Sequence, residues 1–181
     1  MKRLLAILVL GLLSCNTSLA VENWEIERVL DNEFTQVSTN GNITHGDKYR
    51  LLIRNNGECD VVEDTFTFYT MANHPDILKI EDKKIGLEAM GTKMLANITS
   101  SSPFLAGHIV WISNGLYKID EHIKFLEKKE KLEVSLIYVF SDLEKKLGWN
   151  AEDMFDIKYN SWNLKNVSEA LKQGQKMCKS N

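Results

Sequence analysis

The chain has 181 residues, 44% of them hydrophobic and 26% charged, with 22 lysines and arginines against 25 aspartates and glutamates. A chain of this length suits one domain with a hydrophobic core. The net charge of −3 provides no general attraction to nucleic acid or to an anionic membrane, so we expect neither as a partner.

The first 20 residues have the pattern of a secretory signal peptide. A basic start precedes an apolar run over 4–13, and the segment ends with the small residues Ser18 and Ala20. The run is about half the roughly 20 residues that a membrane-spanning helix needs. We therefore predict a signal peptide over 1–20 and one exported domain over 21–181, periplasmic or secreted and without a transmembrane segment. Its net charge is −5, because the leader contains two basic residues and no acidic one.

A second processing route is open at Cys15. The sequence Leu-Leu-Ser-Cys at 12–15 resembles the lipobox of bacterial lipoproteins, in which the cysteine is acylated and becomes the mature N-terminus. The Ser-Leu-Ala sequence at 18–20 offers a conventional cleavage site just downstream. Conventional cleavage is favoured, and lipoprotein anchoring at Cys15 is the alternative.

The mature chain then contains two cysteines, Cys59 and Cys178. Two cysteines in an oxidising compartment predict one disulfide bond. Neither belongs to a Cys-x-x-Cys motif, and no histidine or second cysteine lies three or four residues away, so zinc binding and redox catalysis are unsupported.

The first half of the domain reads as β-strands. Apolar and polar residues alternate over 23–30 and over 64–71, with Trp24 and Phe66 on the apolar sides. Between these segments, 48–58 is an apolar run closed by an Asn-Asn-Gly turn. Cys59 is therefore expected just beyond the end of a strand.

The middle of the chain continues the same pattern. Residues 76–90 are predicted to form two strands around a polar turn at 82–84. Residues 92–115 predict two more strands, joined across 100–103. These spacings indicate an antiparallel sheet or a β-sandwich.

The apolar period becomes helical at two places. A mid-chain helix is predicted over 119–130, capped by Asp120, and a strand over 132–140 follows it. After an extended segment at 154–162, a final helix is predicted over 163–178, capped by Asn163 or Asn166. Its apolar stripe consists of Leu164, Val167, Leu171, Gly174 and Cys178. We expect a β-rich α+β fold, an antiparallel sheet or sandwich with a mid-chain helix and a C-terminal helix packed on it, held by one disulfide.

The end of the chain resembles a known family. Over 154–178, Trp162, Leu164, Ala170 and Cys178 stand where the invasion-associated locus B family of small exported bacterial proteins has a strand, a short apolar step, an alanine-containing helix and a terminal cysteine. The resemblance covers about 25 residues. It implies a β-rich exported fold and a non-catalytic role in host interaction.

No catalytic motif is present. GxSxG, HExxH, Walker-type and GxGxxG patterns do not occur. The acids Glu152, Asp153 and Asp156 lie close in sequence, but such a group more often starts a helix or lies in a loop. The chain has four histidines, His45, His74, His108 and His122, which are scattered through different elements. They are expected to be structural, with His74 in a turn and His122 on a helix surface. We expect no cofactor and no metal.

A binding role is therefore favoured over catalysis. Trp149, Tyr159 and Trp162 are the candidate binding aromatics, because Trp149 follows a glycine in an irregular stretch and the other two lie near it in sequence. For Trp162 the alternative is a core position that seats the last helix. The expected partner is a protein or a small apolar ligand. A small periplasmic hydrolase with an unrecognised site, or a carrier for an apolar ligand, is the alternative.

The processing hypothesis predicts a mass. Protein recovered from the exported fraction should begin at Val21, because the small residues before it form the cleavage site. Intact-mass spectrometry measures this directly. An N-terminus at a diacylated Cys15 would instead establish the lipoprotein route.

Overall fold

A computed structural model describes residues 19–44, 46–137 and 151–180. Over these residues ten strands form one antiparallel sheet. The predicted β-rich class is confirmed. The strands are β1 (Leu19–Val21), β2 (Trp24–Val29), β3 (Phe34–Asn40), β4 (Lys48–Arg54), β5 (Val61–Thr70), β6 (Lys84–Ala89), β7 (Thr92–Phe104), β8 (Gly107–Lys118), β9 (Lys131–Ile137) and β10 (Tyr159–Asn163).

The helices in the described residues are short. They are a 3-10 helix at Ile77–Lys79, α1 (Ile119–Leu126), α2 (Ala151–Met154) and α3 (Val167–Lys179). No helix in the part of the chain that the structure describes is long and apolar enough to cross a membrane.

The strand order is β1-β2-β3-β4-β5-β8-β7-β6-β9-β10. The first five strands follow one another as a meander. Strand β1 contains Leu19 and Ala20, the last two residues of the predicted leader, so cleavage after Ala20 would remove them from the sheet. The chain then passes through the 3-10 helix to β6, so β8 becomes the neighbour of β5 and β7 lies between β8 and β6. Helix α1 connects β8 with β9 and therefore lies beside the centre of the sheet.

The sheet curls so that its last strand packs over its middle strands. The Trp162 ring on β10 lies 5.5 Å from that of Phe66 and 6.1 Å from those of Tyr49 and Phe68, centroid to centroid. The Asn42 amide, after β3, also donates a 2.9 Å hydrogen bond to the Ser161 carbonyl. Trp162 has no exposed surface. The prediction that it belongs to a binding surface is therefore wrong, because its side chain is packed in the core.

Strand β3 was not predicted. Its sequence, Phe-Thr-Gln-Val-Ser-Thr-Asn, contains one aliphatic residue, Val37. Thr35, Gln36, Ser38 and Thr39 are nevertheless buried. Pairing with β2 and β4 covers only the edges of the strand, and its faces are covered by packing across the fold, as where Thr35 lies beside Gly174 of helix α3. Local periodicity does not report such packing.

Two boundaries in the middle of the chain also differ from prediction. Residues 77–79 form the 3-10 helix where a strand was expected, and the β7–β8 turn lies after Phe104 instead of across 100–103. Pro103 is accommodated in β7 because β6 pairs only with residues 92–97 of that strand, which leaves Pro103 with one neighbouring strand.

Neither predicted side-chain cap forms. Helix α1 follows Lys118, with Asp120 in its first turn, where a negative charge favours the helix dipole. Helix α3 follows Asn166, whose backbone is left-handed at φ 64° and whose side chain donates to Glu22 instead of capping. Helix α1 begins at Ile119 as predicted and ends at Leu126 instead of 130, whereas α3 begins at Val167 instead of 163 and ends at Lys179.

The buried stripe of α3 is confirmed. Val167, Leu171, Gly174 and Cys178 are all buried, and the helix packs on β2, β3 and β4. Gly174 allows this close approach, because a Cβ there would collide with the Val37 side chain and lie 3.4 Å from Ile53 Cδ1.

Both ends of α3 are tied to the rest of the fold. The Trp24 indole donates to the Lys165 carbonyl at 2.9 Å, and Arg28 donates to the Met177 carbonyl at 3.0 Å. The predicted disulfide is confirmed: Cys59 and Cys178 are bonded, with Cα atoms 5.8 Å apart and a sequence separation of 119. The bond joins the C-terminal end of α3 to the loop after β4.

Replacing Cys178 with serine should lower the free energy of unfolding by about 2 to 5 kcal/mol, because the bond constrains the unfolded chain. Urea unfolding of the oxidised protein measures the change. Cys59→Ser is the matched control and should give a similar loss, as it removes the same bond. A stability unchanged in both variants would contradict this role.

Candidate functional site

An acidic residue occupies an inward-facing position of strand β5. Val62, Asp64, Phe66 and Phe68 alternate along the strand and are all buried. The pairing of β5 with β8 shifts at Asp64, which lies opposite Gly115 with φ +123°. A carboxylate on this face is unusual, since burying an ionised group is costly without partners.

His122 reaches the same place from helix α1. With Ile119, Ile123 and Leu126 it belongs to the buried stripe of that helix. Its ring stacks on Tyr117, with centroids 4.7 Å apart. The expectation that His122 lies on the helix surface is therefore wrong, because the helix turns this position toward the sheet.

Asp64, His122 and Tyr49 form a buried polar cluster. His122 Nε2 lies 3.4 Å from Asp64 Oδ2 and 3.3 Å from the Tyr49 hydroxyl. Burial, followed by the charge of Asp64 and a hydrogen bond to it, raises the pKa of Tyr49 well above its usual range. The phenol therefore stays protonated, and its hydroxyl forms a hydrogen bond with His122 Nε2. Asp64 Oδ1 is buried with no hydrogen-bond partner.

A cavity of about 340 Å³ lies against this cluster. Its volume is within the range of small-molecule sites. The walls are mostly apolar, and Phe125, 55% exposed, stands at the opening. The lining residues are Asp64, Phe66, Ala89, Met90, Thr92, Met94, Asn114, Tyr117, Glu121, His122, Phe125, Leu126 and Leu132.

The cluster is better arranged for binding than for nucleophilic catalysis. A serine or cysteine nucleophile would have to lie within hydrogen-bond reach of the imidazole. The hydroxyl that contacts His122 is that of Tyr49, which is fully buried and whose pKa is raised rather than lowered. What the cavity offers is an apolar volume with a hydrogen-bonding wall.

A second cavity, about 710 Å³, lies between the segment after α1 and the start of α3. It is lined by side chains of both charges, including Glu127, Lys129 and Lys165. None of its lining residues is a buried side chain with an unpartnered polar atom. We therefore place the candidate site at the smaller cavity.

The predicted aromatic patch is not brought together in the described residues. Tyr159 is 36% exposed and donates to Glu133 at 2.9 Å, whereas Trp162 is buried on the opposite face of β10. Trp149 lies outside the described residues. Tyr159 is not among the residues that line the smaller cavity.

The other residues considered from the sequence have structural contacts or lie outside the described part. His74 Nδ1 accepts the Asp76 amide in a turn, and the Asp156 carboxylate accepts the Met71 amide. His45 and the side chain of Glu152 are not described. Within the described ranges, no group of three histidine, cysteine or acidic residues is placed to hold a metal ion.

Comparison with protein-family models, with curated proteins and with solved structures found no match to this chain.

Two signals in the sequence point to the site that sequence reasoning missed. Asp64 shares the alternation phase of Phe66 and Phe68, so an acid stands where an apolar residue is expected. His122 lies three residues after Ile119, on the apolar side of its helix. An inward acid and an inward histidine are both out of place in a purely structural core.

Tyr49→Phe should lower the free energy of unfolding by about 1 to 3 kcal/mol, because it leaves the buried His122 without the hydroxyl that hydrogen-bonds to its Nε2. Tyr159→Phe is the matched control, since it removes a hydroxyl that donates to the exposed Glu133. Its effect should be much smaller, because water replaces the lost donor. Urea midpoints of the two variants test this, and equal losses would contradict the energetic role of the buried cluster.

Proposed function

We propose that the protein is an exported, non-catalytic binding module that holds a small, mainly apolar molecule in the cavity beside Asp64, His122 and Tyr49. The observation that carries the proposal is the combination of apolar walls with one buried polar cluster. Small-molecule sites commonly have this composition, in which the apolar walls provide affinity and a few polar groups provide orientation.

The cavity lies where the fold provides rigid support. Strands β5 and β8 are central in the sheet, and helix α1 is packed beside them. Met90 and Met94 come from the β6–β7 hairpin, opposite α1. Methionine side chains are adaptable and suit the wall of a site that accepts an apolar body.

Export is part of the proposal. It is supported by the leader pattern over 1–20 and by the Cys59–Cys178 bond, since disulfides persist in oxidising compartments. A role in host interaction, which the resemblance of the chain end to the invasion-associated locus B family implies, remains a prediction.

Filling the cavity should weaken binding of a neutral apolar probe. We expect N-phenyl-1-naphthylamine to bind the oxidised protein saturably, with one site per chain, in a fluorescence titration. Met94→Trp should weaken this binding at least about tenfold, a change of about 1.4 kcal/mol.

Leu95→Trp is the matched control. Leu95 is the next residue of β7, is 38% exposed and does not line the cavity. Its substitution should leave the titration unchanged. Absence of saturable binding to the unmodified protein, or equal weakening in both variants, would overturn the proposed function.

A further inference from the structure

The lining of the smaller cavity has a one-sided charge. It includes two acidic residues, Asp64 and Glu121, and no lysine or arginine. An anionic ligand would therefore meet repulsion, and a cationic ligand attraction.

Asp64 lacks one donor that a ligand can supply. One carboxylate oxygen, Oδ2, lies 3.4 Å from His122 Nε2, and the Tyr49 hydroxyl is hydrogen-bonded to the same imidazole nitrogen. The other oxygen, Oδ1, has no hydrogen-bond partner, and the Asp64 side chain is only 6% exposed. A buried charged acceptor without a donor is unfavourable. A ligand N–H group that donates to Oδ1 would therefore be stabilised in the cavity relative to solvent.

Aromatic rings surround the same volume. Phe66, Tyr117 and Phe125 all line the cavity, and the last two stack with His122 on one side. The face of an aromatic ring attracts a cation, and this attraction is larger where water is excluded. The apolar part of a ligand can pack on Met90, Met94 and Leu132.

We infer that the cavity selects a small organic amine, bound as its ammonium ion with an N–H donated to Asp64 and an apolar or aromatic body against the methionines and aromatic rings. This inference rests on the proposed function and specifies its ligand class. The volume of about 340 Å³ limits the ligand to a small molecule. Glu121, exposed at the opening, adds long-range attraction for a cation.

The test compares three probes of nearly equal shape by isothermal titration calorimetry at pH 7: 2-phenylethylamine, 2-phenylethanol and phenylacetate. The amine should bind at least about tenfold more tightly than the alcohol, and phenylacetate should show no measurable binding. This comparison uses the unmodified protein and so does not depend on whether a variant folds.

Asp64→Asn should reduce the preference for the amine over the alcohol to within about threefold, because it removes the charge and keeps the shape. Glu63→Gln is the matched control. Glu63 is the adjacent residue of β5, faces the other side of the sheet, where it accepts from Ser113, and does not line the cavity. It should keep the full preference.

Glu121→Gln provides a variant whose folding is not at risk, since the residue is exposed. It should weaken binding of the amine about two- to threefold and leave binding of the alcohol unchanged.

The outcomes separate the two proposals. If the alcohol binds as tightly as the amine, or if Glu63→Gln and Asp64→Asn reduce the preference equally, selection of an amine is overturned while the binding cavity stands. If neither these probes nor N-phenyl-1-naphthylamine binds, the cavity is not a ligand site and both proposals fail.

Discussion

The packing of Trp162 against Tyr49, Phe66 and Phe68 is the contact on which the fold depends most. It joins the last strand of the sheet to strands β4 and β5, which are in the middle of the strand order. A flat ten-stranded sheet would expose one apolar face along its whole length. Because the sheet curls, its inward residues bury one another and only part of that face needs a helix to cover it.

The buried polar cluster is an exception inside this core, and its position explains its chemistry. Tyr49 contacts Phe66 and Trp162 through its ring while its hydroxyl reaches His122 and Asp64. The same residue therefore belongs to the apolar core and to the polar cluster. A carboxylate with one satisfied and one unsatisfied oxygen is a costly feature in a core, and such costs are expected at functional sites more than elsewhere.

The disulfide involves helix α3, whereas helix α1 forms part of the cavity wall, and the two features have separate roles. Cys178 fixes the end of α3 on β2, β3 and β4, whereas the cavity is formed by α1, the β6–β7 hairpin and the adjoining ends of β5, β8 and β9. Helix α3 also contacts α1. The disulfide thus stabilises the packing of α3 on the sheet, whereas the cavity is lined by α1, a neighbouring helix that contains no cysteine.

The sequence by itself determined the elements whose information is local. The Cys59–Cys178 pair, the buried stripe of α3 and the alternation in β2 and β5 could all be predicted, because each depends on residue spacing within one element or on the absence of other cysteines. Strand β3 could not, since its polar side chains become buried only by packing across the fold, as where Thr35 lies beside Gly174 of α3. The candidate site depends on tertiary structure in the same way. Asp64 and His122 are on different elements, and only the packing of α1 against β5 and β8 brings the imidazole to the carboxylate and encloses the cavity.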